Sequence, residues 1–156
     1  MRPVAHFEPH PEAPALLARL EAELGLGPER FAAYRFWRRT PQGSVWLAAA
    51  DCAPPPGVAV DALGLLVYRE PPPRGRPTSV FALRFGAWAT RGVLDLEPAA
   101  AQAALAGELA VPCDTDGAGW RILRAAGRPI GWGWLKAGHV RPELPHAWLQ
   151  DLDASG

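Results

Sequence analysis

The residues best suited to chemistry are cations interleaved with tryptophans, in two separate stretches of the chain. In the first stretch Arg35, Trp37 and Arg39 alternate along a predicted strand, so their side chains share one face. Unpaired nucleobases stack on such mixed arginine–aromatic surfaces. A half-solvated strand whose Trp37 is covered by another element has the same alternation. Both interpretations stay open from the sequence.

The second stretch, residues 119–145, is predicted to form three strands joined by turns. Ala126-Gly127 supplies the first chain reversal, because glycine tolerates a positive φ. After Pro129 the period is two, which predicts large side chains on one face and bare backbone on the other. Another strand or a ligand can then approach the backbone closely, so we expect a small closed β-structure. The large residues on the first face are Ile130, Trp132 and Trp134, and the small ones on the other face are Gly131 and Gly133.

Five cations lie in this second stretch. Arg121 and Arg124 are predicted on opposite faces of their strand. Arg128 in the turn, with Lys136 and Arg141 at strand ends, is better placed to converge on a phosphate path. Core packing is the default expectation for Trp132 and Trp134, with at least one of them buried.

The order of these residues also resembles a known family. The series is Gly127-Arg128-Pro129-Ile130-Gly131-Trp132-Gly133, then Gly138-His139-Val140-Arg141 and Leu144-Pro145. It resembles the C-terminal PUA-like domain of the ribosomal RNA cytosine-C5 methyltransferases, the Nol/Nop/Sun family. It is also similar to the PUA domain of small ribosome-biogenesis factors that carry a short α/β domain in front.

This resemblance implies an α+β protein, with a small α/β N-terminal domain in residues 1–86 and a PUA-like mixed β-barrel in residues 87–150. Residues 151–156 form a tail. The implied function is non-catalytic binding of structured ribosomal RNA, in ribosome maturation or RNA modification. An RNA-modifying enzyme such as a methyltransferase is then a candidate partner. The residues expected to contact RNA are Arg128, Lys136, Arg141, Arg121, Arg124, Arg35, Trp37 and Arg39.

The charge distribution supports a polyanion as partner. The 156 residues have no net charge, but the stretch from position 30 to 92 contains nine arginines and only three acidic residues. Residues 121–149 hold four arginines and one lysine against one glutamate, whereas residues 93–120 hold five acids and no base. Such segregation predicts at least one positive face.

No motif points to an enzyme. The chain has no dinucleotide-binding loop, no phosphate loop and no Gly-x-Ser-x-Gly elbow. Cys52 and Cys113 fit no zinc or redox spacing, and turn chemistry explains Asp114 and Asp116. We therefore expect no catalysis, no cofactor and no metal. The N-terminus is not a signal peptide and no apolar run spans a membrane, which predicts a cytoplasmic protein.

A second function stays open, that of a protein-interaction adaptor with a PUA-like fold that has lost its affinity for RNA. The zero net charge favours it. So do Pro142, where the family usually has asparagine, and His146, where it usually has lysine.

The elements that position these residues are partly predictable. Leu16, Leu20 and Leu24 lie at helical spacing between Pro14 and a stop at Gly25. A second helix opens at Pro98. The run from residue 79 to 85 fits a strand or a short helix, and periodicity does not separate them.

Overall fold

The computed structural model describes residues 4–145, so the predicted tail 151–156 and His146 lie outside the described residues. The chain is mixed α+β with two sheets, which confirms the predicted class at this level. It divides into two compact units, residues 1–81 and 82–156. Among residues 4–145 no helix is both long and apolar enough to cross a membrane.

The first unit is a four-stranded antiparallel sheet with one long helix. The elements are β1 His6–Pro9, α1 Ala13–Leu24, β2 Tyr34–Thr40, β3 Ser44–Ala49 and β4 Leu65–Tyr68. The strands pair in the order β1-β2-β3-β4. A 3-10 turn at Pro28–Phe31 precedes β2.

The helix α1 forms as its sequence predicts. Leu16, Leu20 and Leu24 are buried along one stripe. Gly25 ends the helix at φ 65°, where its N–H bonds the carbonyl of Glu21, because glycine adopts the left-handed conformation without a steric penalty.

The second unit is built on a five-stranded sheet that curls into a half-barrel. The helix α2, Ser79–Phe85, begins in the first unit and ends in the second, and a 3-10 turn at Gly86–Trp88 follows it. The remaining elements are β5 Val93–Leu96, α3 Pro98–Leu105, β6 Val111–Pro112, β7 Gly119–Ala125, β8 Arg128–Lys136 and β9 His139–Glu143. The strand order is β5-β7-β8-β9-β6, with β5 parallel to β7 and the other pairs antiparallel.

Both hairpins of this sheet close through an alanine–glycine pair with positive φ. Ala126 and Gly127 have φ of 50° and 78°, and Ala137 and Gly138 have 50° and 75°. Two consecutive positive φ values match the right-handed twist of the flanking strands. The predicted chain reversal at Ala126-Gly127 is confirmed.

One expectation about the faces of β8 is wrong. Leu123 pairs with Gly131 but Arg124 pairs with Pro129, so Ile130 is an extra residue in a β-bulge. The bulge turns Ile130 to the other side of the sheet, where it joins the buried cluster around Leu123. Ile130 therefore does not share a face with Trp132.

The glycine side of β8 is filled by neighbouring side chains. A Cβ placed on Gly133 would lie 2.6 Å from Val140 Cγ2 and 2.8 Å from Leu123 Cδ1. The close approach predicted at this backbone is thus made by β7 and β9 themselves. This inner face packs on α3 and forms the core of the unit, with Leu94, Leu96, Ala101, Ala104, Val111, Leu123, Ile130, Leu135 and Val140.

Candidate nucleic-acid interface

The opposite side of the five-stranded sheet carries the tryptophans, and we call it the tryptophan face. Trp120 pairs with Trp134 across β7 and β8, and Ile122 pairs with Trp132 two residues further along. Cross-strand partners and residues two apart share a face, so all four side chains lie on the same side. The two ends of this face differ in what covers them.

One end of the tryptophan face is closed by the 3-10 turn. A Cβ on Gly86 would lie 2.9 Å from Pro129 and 3.0 Å from Ile122, so the turn rests directly on the sheet there. Ile122 is fully buried and Trp132 is 3% exposed. The expectation that at least one of Trp132 and Trp134 is buried is confirmed by Trp132.

The other end exposes an aromatic pair. The indoles of Trp120 and Trp134 meet edge to face, with ring centroids 5.2 Å apart and an interplanar angle of 74°. Both side chains are only half-buried. A perpendicular pair presents the flat side of one ring and the edge of the other, and the flat side of an indole can stack on a nucleobase.

Two cations flank this pair. Arg141 on β9 lies directly across from Trp134, and Lys136 lies two residues from Trp134 on the same face. Both are exposed, the Arg141 side chain by 61%. The Nη2 of Arg141 is 3.8 Å from a carboxylate oxygen of Glu143, which is too long for a hydrogen bond, and exposed pairs of this kind contribute little energy. Arg141 therefore keeps donors for a phosphate.

Arg124 also lies on the tryptophan face, but its donors are used within the protein. Its Nε and Nη2 bond the two carboxylate oxygens of Asp95 at 2.8 and 3.0 Å, and its Nη1 bonds the carbonyl of Ala89 at 3.1 Å. The Arg124 hydrogen bonds hold the pKa of Asp95 below its usual value. This arginine fastens the segment after α2 to the sheet, which argues against the predicted contact of Arg124 with RNA.

The remaining predicted cations of this unit lie elsewhere. Arg121 pairs with Gly133 and so faces away from the indoles, and its Nη1 bonds the Trp120 carbonyl at 3.0 Å. Arg128 and Lys136 stand at opposite ends of β8, roughly 25 Å apart at the usual rise per residue. Of the five cations in this stretch, the structure brings together Lys136 and Arg141.

Of the three residues predicted in the first unit, Trp37 is buried, Arg39 is partly buried and Arg35 is exposed. Arg35, Trp37 and Arg39 share one face of β2, as predicted. Trp37 is 4% exposed and packs against Leu63 and Ala48. Its indole is thus closed to stacking in this conformation.

Sequence reasoning did not single out Trp120 and Trp134 as binding residues. The period of β8 placed Trp134 on a face with Trp132, and core packing was the reasonable default for both. Regular pairing outward from the Ala126-Gly127 turn would set Trp120 opposite Gly133, so the bulge at Ile130 is what brings Trp120 and Trp134 together on one face. Which end of the face stays open depends on tertiary contacts.

No cluster of histidine, cysteine or acidic side chains suitable for a metal occurs within residues 4–145. Cys52 is exposed and Cys113 half-buried, and both are free thiols. Burial is the main reason that the pKa of Cys113 is raised, with Asp114 adding to it. A raised pKa keeps this thiol protonated and less nucleophilic.

Comparison with protein-family models and with curated proteins gives no match for this chain.

Proposed function

We propose that this protein binds RNA through the exposed end of its tryptophan face. The observation that carries the proposal is the half-buried Trp120–Trp134 pair flanked by Lys136 and Arg141. An indole stacks on an unpaired base, and the two cations contact the adjoining phosphates. The interaction is docking, with no chemistry on the RNA.

A more specific function follows from the resemblance of residues 127–145 to the PUA-like domain of the Nol/Nop/Sun family. We propose a PUA-like barrel in residues 87–150, behind a small α/β domain in residues 1–86. Structured ribosomal RNA is then the target, bound in the cytoplasm during ribosome maturation or RNA modification. The curled sheet is compatible with a barrel of this class.

Binding to ribosomal RNA fragments over a salt series tests the proposal. Fluorescence anisotropy of labelled hairpins is measured with loops of unpaired bases and with fully paired stems of equal length. We expect tighter binding to the loops, because only unpaired bases offer a face to an indole. We also expect the affinity to fall steeply as salt rises. Flat, weak binding to every fragment would contradict the proposal.

The adaptor function is the second candidate, and the zero net charge of the chain favours it. Glu143 beside Arg141 also lowers the local positive charge. An aromatic patch with two cations and one anion at its border suits a peptide as well as RNA. A protein partner that stays bound after nuclease treatment, together with absent RNA affinity, would favour the adaptor.

A further inference from the structure

The four-stranded sheet of the first unit has a second aromatic and arginine surface, which lies under a loop. Trp37 pairs with Trp46 across β2 and β3, and Phe7 on β1 meets Trp46 edge to face with ring centroids 5.6 Å apart. The guanidinium carbon of Arg35 is 5.9 Å from the Trp37 ring, and that of Arg39 is 5.9 Å from the Phe7 ring. Arginine over an aromatic ring is a favourable arrangement and a common surface for nucleobases.

Two buried donors on this surface have no acceptor within residues 4–145. The indole Nε1 of Trp37 and the Nε of Arg39 are both buried, and neither has a hydrogen-bond partner among the described residues. Buried N–H groups in folded proteins are almost always paired, because leaving one unpaired is costly. The two residues are two apart on one strand, so their donors point to the same side of the sheet. With the loop over this surface, Trp37 Nε1 and Arg39 Nε are therefore left without a hydrogen bond among the described residues.

The loop that covers the surface, residues 51–64, is held by few contacts. Leu63 is its single buried side chain, and it packs against Trp37 and Ala48. The carboxylate of Asp61 lies 3.5 Å from Arg39 Nη2, and the Asp61 side chain is fully exposed. An exposed ion pair is weak. The loop ends at Gly64, whose φ of +71° suits glycine and marks the point where the chain turns back into β4.

We propose that residues 51–64 form a lid over a second nucleotide site. With the lid open, an unpaired RNA base stacks on the Trp37 ring, and oxygen atoms of the adjoining ribose and phosphate accept hydrogen bonds from Trp37 Nε1 and Arg39 Nε. With the lid closed, Leu63 covers Trp37 and Asp61 neutralises Arg39. The identity of the ligand as RNA rests on the proposed function. The existence of a lid rests on the unpaired donors and the sparse contacts of the loop.

The affinity of such a site depends on how often the lid is open. The apparent dissociation constant equals the intrinsic one divided by the open fraction. Asp61→Asn removes the ion pair without changing the size of the side chain. Because an exposed ion pair contributes little, we expect this variant to bind up to about fivefold more tightly. Asp51→Asn, an exposed aspartate at the start of the same loop, is the matched control and leaves the affinity unchanged.

The experiment uses the full chain carrying Lys136→Ala and Arg141→Ala, so that the cations of the tryptophan face do not contribute. The probe is a fluorescein-labelled hexamer of uridylate, and binding is measured by anisotropy for the Asp61→Asn and Asp51→Asn versions. In parallel, the indole N–H resonance of Trp37 is followed in 15N-labelled protein and assigned by its loss in Trp37→Phe. We expect tighter binding only with Asp61→Asn, and a shift of the Trp37 resonance as RNA is added.

The inference is overturned if the two aspartate variants bind equally, or if the Trp37 resonance stays in place at saturating RNA. Either result leaves the proposed function intact, provided that the Lys136→Ala/Arg141→Ala protein binds RNA more weakly than the unmodified protein. The proposed function fails separately, if that double variant binds RNA as tightly as the unmodified protein.

Discussion

Trp120 and Trp134 face each other across β7 and β8 with their rings nearly perpendicular, at a centroid distance of 5.2 Å. The two indoles pack against each other, and because both are only half-buried, part of the ring surface contacts solvent. Trp132, two residues away on the same face, is 3% exposed. Two tryptophans of the same strand therefore differ in exposure, and the part of the tryptophan face that contacts solvent lies at the Trp134 end.

The cations beside the pair are predicted to set the salt dependence of the proposed RNA binding. We predict that Lys136→Ala and Arg141→Ala each weaken binding and each reduce the slope of log affinity against log salt by about 0.7, the value for one single-strand phosphate contact. Arg128→Ala is the matched control, because Arg128 is an exposed cation at the far end of β8. Anisotropy at four salt concentrations measures the slopes. Equal slopes for all three variants would show that the phosphates lie elsewhere.

Arg124 is predicted to stabilise the fold without contacting RNA. Arg124→Ala removes bonds to Asp95 and to the Ala89 carbonyl. Because the Asp95 side chain is 64% exposed, we expect a loss of about 1–2 kcal/mol in the free energy of unfolding, below the full value for charged hydrogen bonds. Urea unfolding measures this loss. At a temperature where the variant is folded, its RNA affinity stays within twofold of the unmodified protein, and a larger drop would place Arg124 in the interface.

Gly133 is predicted to tolerate no side chain. Gly133→Ala puts a methyl group 2.6 Å from Val140 Cγ2 and 2.8 Å from Leu123 Cδ1, in a buried core. Overpacking of this kind costs about 1–3 kcal/mol of unfolding free energy.

A second substitution checks the steric cause. Leu123→Ala opens space for the new methyl group, so the double variant should lose less stability than the sum of the two single losses. Losses that simply add would mean that the methyl group and Leu123 do not compete for space.

The start of α1 is predicted to weaken in mild acid. The Nδ1 of His10 accepts the Glu12 N–H at 3.1 Å, so the imidazole must be neutral there. Burial, with Arg38 as the second cause, lowers the pKa of His10 below 6.5 in the folded protein. The unfolded chain therefore takes up a proton first as pH falls through 6.5, and the free energy of unfolding decreases until the folded pKa is passed.

His10→Asn tests this pH dependence, because asparagine supplies an acceptor that does not titrate. We expect urea midpoints at pH 7.5 and 5.5 to differ less in the variant than in the unmodified protein. An unchanged difference would assign the acid sensitivity to other groups.

Local signals predicted much of the fold. The leucine spacing predicted α1. Gly25 predicted the end of that helix, and Gly127 predicted the turn after β7. The bulge at Ile130 was missed because a period of two assumes an unbroken ladder, and one extra residue reverses the faces beyond it. The four-residue strand β1 was missed because it is short and lies among prolines. The run 79–85 is helical, and its seven residues were too few for periodicity to decide.

The candidate site was harder to predict than the fold. Sequence reasoning selected Lys136 and Arg141 together with six other residues. It could not see that Asp95 engages Arg124 or that Leu63 covers Trp37. Both contacts join residues far apart in the chain. The half-burial of Trp134 and the burial of Trp132 likewise depend on tertiary contacts, such as the turn at Gly86–Trp88 that rests on Ile122 and Pro129.

The most direct test of the central claim is the affinity of the Trp120→Ala/Trp134→Ala protein for an unpaired ribosomal RNA loop, compared with Trp134→Phe. Loss of a base–aromatic stack costs about 1–3 kcal/mol, so we predict roughly 5- to 150-fold weaker binding for the double alanine variant. The phenylalanine variant keeps a flat ring and should stay within a few fold of the unmodified protein. Equal affinity of a folded double alanine variant and the unmodified protein would contradict the account.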